Sequence, residues 1–200
     1  MKPARCSGLM SSGRLAAYSD GIIAIIVTIM VLDLHAPDRG EVLALWAIWP
    51  TFAAYALSFV LVSIYWVNHH HLLLTNPRMD RAAMWLTIQW LFWLSMFPFA
   101  TAYLSRTKAA PLALSSYATL GMLTALAYRL LGTRLSRLNA GAGIVDEVAP
   151  DRRRKNTLAL LANMLAIPAA FMFRPLAVLL LVIPAGLYFV PDPRVGSEEA

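Results

Sequence analysis

Six runs of mostly apolar residues, parted by short polar intervals, divide the chain at roughly 15–34, 43–67, 82–104, 110–131, 157–173 and 175–190. A membrane-crossing helix needs about 20 such residues, so the pattern predicts an all-α, polytopic fold with six transmembrane helices. The last two runs are short and are separated only by Arg174-Pro175. They read either as two thin spans joined by a tight turn or as one re-entrant hairpin. The segment 132–156, rich in glycine and charge, is expected to be a loop, and residues 1–200 one six-helix domain without internal repeats.

Composition strengthens this picture. Hydrophobic residues make up 59% of the chain and charged residues only 14%, against about 45–50% and about 25% in soluble domains. Mean hydropathy is +0.61. The 12 prolines and 10 glycines do not count against helices, because membrane helices tolerate both. The single cysteine, Cys6, excludes an intrachain disulfide framework and a cysteine-built metal site. No cleavable signal peptide is expected, since the first apolar run contains Asp20 and lacks a small-residue cleavage site.

The charge of +6 raises the question of nucleic acid, which the placement of the cations answers. Six spans put both termini on one side. Of the 17 Lys and Arg, all but Arg39, Arg106, Lys108 and Arg174 then fall on that side. The positive-inside rule places both termini in the cytoplasm and the protein in the cell membrane. The run Arg152, Arg153, Arg154 and Lys155 accordingly reads as a topogenic cluster resting against anionic lipid, not as a nucleic-acid site. Trp46, Trp49, Tyr65, Trp66, Tyr103 and Tyr188 gather near span ends as an interfacial belt.

The first run holds the anomalies. Asp20 stands at its threshold and Thr28 in its middle, and an ionisable group at that depth calls for a partner or water. At about 100° per residue, Gly21, Ile25, Thr28 and Leu32 fall within a stripe of roughly 60°, Ile29 lies about 40° beyond Ile25, and Asp20 points about 140° away. The stripe taken alone reads as ordinary helix packing, and threonine can satisfy its hydroxyl on its own backbone.

The pattern Arg14-x-x-x-Tyr18-Ser19-Asp20-Gly21-x-x-Ala24-Ile25-x-x-Thr28-x-x-x-Leu32 resembles the signature of the transmembrane protein 175 family, potassium channels of lysosomes and of bacteria and archaea. The family usually has Phe where this chain has Tyr18; the other signature positions match in order and spacing. The whole chain is similar to prokaryotic members, which have six spans and cytoplasmic termini. Animal members carry two such repeats, so one repeat implies a homotetramer. The resemblance implies that four copies of the first helix line a potassium pore, that Ile25 forms a hydrophobic constriction, and that Thr28 and Leu32 follow on the same face beside Ile29. The distance from Ile25 to Leu32 is about 10 Å, a neck short enough to gate by dewetting. No Thr-Val-Gly-Tyr-Gly filter occurs. Preference for potassium over sodium would then rest on the cheaper dehydration of potassium, sharpened by Thr28 hydroxyls. Potassium near Ile25 and Thr28 is the permeant ion; no cofactor or structural metal is expected.

"YWVNHHHLL", Tyr65 to Leu73, closes the second run. Adjacent helical residues point about 100° apart, which disfavours convergence of the three histidines on a metal. The resemblance instead pairs Trp66, with His69 or His70, to Arg14, Ser19 and Asp20. His70, with His69 as the alternative, and Asn68 are expected to bond Ser19 and Asp20 and fix the rotation of the first helix. A histidine bonded to Asp20 would titrate near physiological pH; the alternative is a structural pair that does not switch. Gln89 and Asn163 read as interhelical hydrogen bonds. Asp33 reads either as part of a negative mouth with Asp38 and Glu41 or as a solvated helix end. The rival functions are a secondary transporter, for which inverted repeats and broken helices are missing, and a non-conducting structural membrane protein. No catalytic motif suggests an enzyme.

Overall fold

The computed structural model describes residues 12–38, 40–144 and 149–189. Lys2, Arg5, Cys6, Arg39 and Arg194 lie outside them. All regular structure in the described residues is helical: α1 (Ser12–Val31), α2 (Val42–Ala47), α3 (Trp49–Thr75), α4 (Arg81–Leu94), α5 (Phe97–Arg106), α6 (Pro111–Ala140), α7 (Ala149–Met172) and α8 (Arg174–Phe189). Among the described residues four stretches are long and apolar enough to cross a membrane: Gly13–Val31, Trp49–Thr75, Arg81–Arg106 and Pro150–Met172. A shorter apolar helix covers Arg174–Gly186.

Prolines explain where the runs subdivide. Run 43–67 breaks between α2 and α3, and run 82–104 between α4 and α5. Pro50 and Pro98 occupy the first turns of α3 and α5, where a missing N–H costs nothing, whereas further inside a helix each would remove a hydrogen bond. Pro168 and Pro184 do lie inside α7 and α8. The expectation of a loop over 132–156 is corrected. Helix α6 continues to Ala140 and α7 begins at Ala149. Hydropathy marks only the part of a helix that meets lipid, and these two continue beyond it. Gly143, at φ 77°, takes the left-handed turn that ends the extension, and Ile144 N donates to Asn139 O at 3.0 Å.

The core sits between α6 and the helices around it, α4, α5, α7 and α8. Trp90, Phe97, Tyr117, Leu114 and Leu131 are almost wholly buried there. Several polar groups within this core are bonded, as a low-dielectric interior favours, although the buried Trp90 Nε1 has no hydrogen-bond partner among the described residues. Tyr117 Oη and Ser58 Oγ lie 2.7 Å apart, Thr101 Oγ1 donates to Ser58 Oγ at 2.7 Å, and Thr87 and Thr124 bond back to their own helices. Gly121 lets α6 and α7 approach closely, since a Cβ there would run into the side chain of Asn163. Helix α1 packs at one edge, on α3, α4 and α5.

Candidate functional site

Helix α1 has two unlike faces. Leu15, Ser19, Ile23, Ile26 and Met30, spaced by three or four residues, are buried against the bundle. On the opposite side Gly21, Ile25, Thr28 and Ile29 are exposed, and Leu32 continues the face in the turn beyond Val31. Exposure reaches 58% at Ile25 and 72% at Leu32, in a helix whose other face is closed. Nothing lies within 4 Å of where a Cβ on Gly21 would sit. The structure therefore places the whole Ile25, Thr28, Ile29 and Leu32 set on one face that no part of the described chain covers.

The hydroxyl of Thr28 sits 3.0 Å from both Ala24 O and Ile25 O and donates to its own helix. Its lone pairs remain on the exposed face. At the far end Arg106 pairs with Asp33 at 3.2 Å in a solvent-exposed ion pair, which offsets the Asp33 charge.

At the other end α1 is tied to α3. Ser19 is fully buried, and its Oγ lies 3.2 Å from Nε2 of His69, itself 1% exposed. The indole Nε1 of Trp66 donates to Asp20 Oδ1 at 2.8 Å. The partner of Ser19 is thus His69 and not His70, because His69 is one helical turn before the buried Leu72 and Leu73 and shares their inward face. His70 instead stacks on Trp66, centroids 6.1 Å apart. Asn68 also departs from expectation. Its Nδ2 donates to Ile64 O at 2.7 Å, and its backbone carbonyl accepts from Tyr128 Oη at 2.9 Å. Arg14 is exposed and makes no hydrogen bond or ion pair among the described residues. Asp20 accepts its hydrogen bond from an indole and makes none with a histidine among the described residues, so the expected Asp20–histidine bond is not formed.

His69 sits against an aromatic cluster that the sequence analysis did not connect with it. Its ring lies 4.6 Å from that of Trp90, which also meets Tyr65 and Tyr128. Its Nδ1 is buried with no hydrogen-bond partner among the described residues, which makes Ser19 its one polar contact. Aromatic residues on α3, α4 and α6 were a visible signal, but which of them converge depends on packing. Gln89 is exposed, and Asn163 Nδ2 donates to Ala159 O of its own helix at 2.8 Å; among the described residues neither makes the interhelical bond expected of it. Among the described residues no three His, Cys, Asp or Glu side chains are grouped to hold a metal.

The family model for the endosomal/lysosomal potassium channel TMEM175 matches residues 14–98, the stretch that carries this tied helix. A potassium channel of Chryseobacterium sp. (strain P1-3) is 34% identical over 189 residues, covering 94% of this chain and 98% of that protein. One of Streptomyces collinus (strain DSM 40733 / Tue 365) is 33% identical over 195 residues, covering 91% and 95%. Among solved structures, a lysosomal potassium-selective channel TMEM175 homolog from Chamaesiphon minutus superposes with a TM-score of 0.76 at 27% identity, covering 89% of this chain and 96% of that one.

Proposed function

The chain belongs to the TMEM175 family of potassium channels, and from that premise we propose that it conducts potassium passively through a pore lined by the exposed face of α1. The carrying observation is the asymmetry of that helix: one face buried, the other uncovered and, from Gly21 to Leu32, aliphatic but for the hydroxyl of Thr28. Four chains arranged about an axis would bring four copies of Ile25, Thr28, Ile29 and Leu32 together, as six helices of one chain cannot. The ring of Ile25 is then the narrowest apolar element and the gate, closing by dewetting. Potassium, less tightly hydrated than sodium, crosses such a neck more cheaply, and the outward lone pairs of Thr28 replace part of the lost water. The Ser19–His69 and Asp20–Trp66 bonds set the rotation of α1 and so decide which residues face the axis.

Six membrane crossings in one domain, with cytoplasmic termini in the plasma membrane, fit the helix order and the cation distribution. The basic run 152–155 then rests against anionic headgroups of the inner leaflet. A non-conducting structural protein would leave the uncovered face of α1 to lipid. Cysteine cross-linking separates the two readings. Leu32→Cys in a Cys6→Ser background, oxidised in membranes, should give cross-linked dimers within a species of four chains, whereas Leu179→Cys, on exposed α8, should not. Equal cross-linking from both sites, or none from Leu32→Cys, would refute the arrangement.

A further inference from the structure

The end of α1 remote from Ser19 meets α5 through one charged contact. Leu32 is strongly exposed at the last position of the uncovered face, and Asp33 follows it directly. The chain turns there: Leu32 N donates to Ile29 O at 3.1 Å and Leu34 N to Val31 O at 3.0 Å, while His35 Nδ1 lies 3.1 Å from Asp33 O. Asp33 is thereby held beside the rim that Leu32 forms. Arg106, the last residue of α5, reaches it at 3.2 Å. Two bonds fix the backbone around the arginine. Ser105 Oγ donates to Thr51 Oγ1 of α3 at 2.8 Å, and Ala109 N donates to Leu104 O at 2.9 Å, closing the helix end.

The pair matters through its charge and not through its strength. The Arg106 side chain is 73% exposed, and an ion pair so open to water adds little stability. Its charge nonetheless decides the sign of the field at the rim. Asp38, Glu41, Lys108 and Arg174, on the same side in the six-span reading, are exposed and make no ion pair among the described residues. A helix that faces an axis has its own centre about 5–6 Å from it, and neighbouring Cα atoms are about 3.8 Å apart. Asp33 then stands about 10 Å from the pathway, within the Debye length of about 30 Å in 0.01 M salt and beyond that of about 3 Å in 1 M salt.

From this contact we propose that Arg106 sets the conductance of the pathway by cancelling an otherwise negative ring at the Asp33 end. The proposal rests on the four-chain pathway proposed above. Four chains would bring four Asp33 carboxylates around one rim, each offset by the Arg106 of its own chain. Without the arginine, four bare carboxylates at about 10 Å would concentrate monovalent cations roughly fivefold in 0.01 M salt and hardly at all in 1 M salt. Without the acid, four bare guanidinium groups would deplete them by a similar factor. Arg106 acts on the ion through the field, without touching it.

Single-channel potassium conductance of the full chain, in planar bilayers of uncharged phosphatidylcholine, reads this field directly. In about 0.01 M KCl, Arg106→Gln should conduct about three- to fivefold more than the unaltered chain, mainly for current entering at the Asp33 end. Asp33→Asn should conduct less by a similar factor, and the double variant should return to the unaltered value. Arg106→Lys, which restores the charge without the guanidinium, should undo the gain of Arg106→Gln. In about 1 M KCl all of these proteins should agree. Equal conductance of Arg106→Gln and the unaltered chain in dilute salt would overturn the proposal. So would a change that persists undiminished in concentrated salt, or one that Arg106→Lys fails to undo. Ile25→Asn, measured alongside, separates this failure from that of the pathway reading. A shifted reversal potential in Ile25→Asn with unmoved conductance in Arg106→Gln overturns only the role of Arg106, and no effect of either overturns both.

Discussion

Ser19→Ala tests the anchor of α1 where the geometry constrains it most. Ser19 Oγ and His69 Nε2 lie 3.2 Å apart in a site closed to solvent. Because His69 Nδ1 has no partner among the described residues, removing the hydroxyl leaves the imidazole without a polar contact. An unsatisfied buried group of this kind costs about 1–3 kcal/mol. For a chain of this size that corresponds to a fall of roughly 2–12 °C in the unfolding midpoint. Intrinsic tryptophan fluorescence of the detergent-purified protein would follow it. The decisive comparison is a double-mutant cycle with His69→Phe, which keeps an aromatic ring against Trp90 but removes both nitrogens. Once the imidazole is gone the serine hydroxyl has nothing left to satisfy, so the double variant should be more stable than the sum of the singles by about 1 kcal/mol or more. Strict additivity, or a Ser19→Ala midpoint within 1 °C of the unaltered chain, would refute the reasoning.

Three further outcomes follow from other contacts. Gly121→Ala should destabilise by about 1–3 kcal/mol, because its methyl meets Asn163 in a close-packed contact; adding Asn163→Ala should recover most of the loss in the same unfolding assay. The Asp80 carboxyl is held below the usual carboxylate range, chiefly by the hydrogen bond from Arg134 and also by the Ala83 N–H. That contribution is present above the unfolded pKa and is lost as pH falls through the folded one, so Asp80→Asn, which preserves the helix cap, should lower the unfolding midpoint at pH 7 and converge with the unaltered protein at acid pH. Thr28→Ala should lower the potassium-to-sodium permeability ratio while changing stability by no more than about 0.5 kcal/mol, since its hydroxyl bonds only its own helix on an exposed face; an unchanged ratio removes Thr28 from the selectivity element.

Much of the site was legible before the structure. Helical periodicity alone put Gly21, Ile25, Thr28 and Leu32 on one stripe, and that stripe is exposed as a unit, because three or four residues per turn is a local property needing no tertiary information. The opposite face was harder. Ser19 and Asp20 are adjacent yet meet different partners, and the choice of His69 over His70 depends on how α3 turns its buried side toward Trp90. Consecutive histidines differ by about 100°, and composition cannot say which of them faces inward.

Helix ends failed for a different reason. Apolar runs record contact with lipid, so α6 and α7, which continue into the polar segment expected to be a loop, were read as too short. The breaks at Ile48 and at Ser95–Met96 were signalled by Pro50 and Pro98, whose effect is stereochemical and invisible to hydropathy. Asn163 shows the limit for single polar residues. It satisfies its amide within its own helix, an option open to any helical asparagine, and its importance lies instead in the glycine it rests upon.

The central claim is that the exposed face of α1 is the permeation pathway. Its most direct test is the bi-ionic reversal potential of purified protein in planar bilayers, potassium on one side and sodium on the other, measured beside Ile25→Asn. The account predicts a reversal favouring potassium in the unaltered chain and a shift toward zero in Ile25→Asn, as a polar ring lets sodium keep its water. Identical reversal potentials in the two proteins, each verified as the same oligomer, would place the pathway elsewhere and leave α1 as a packing helix.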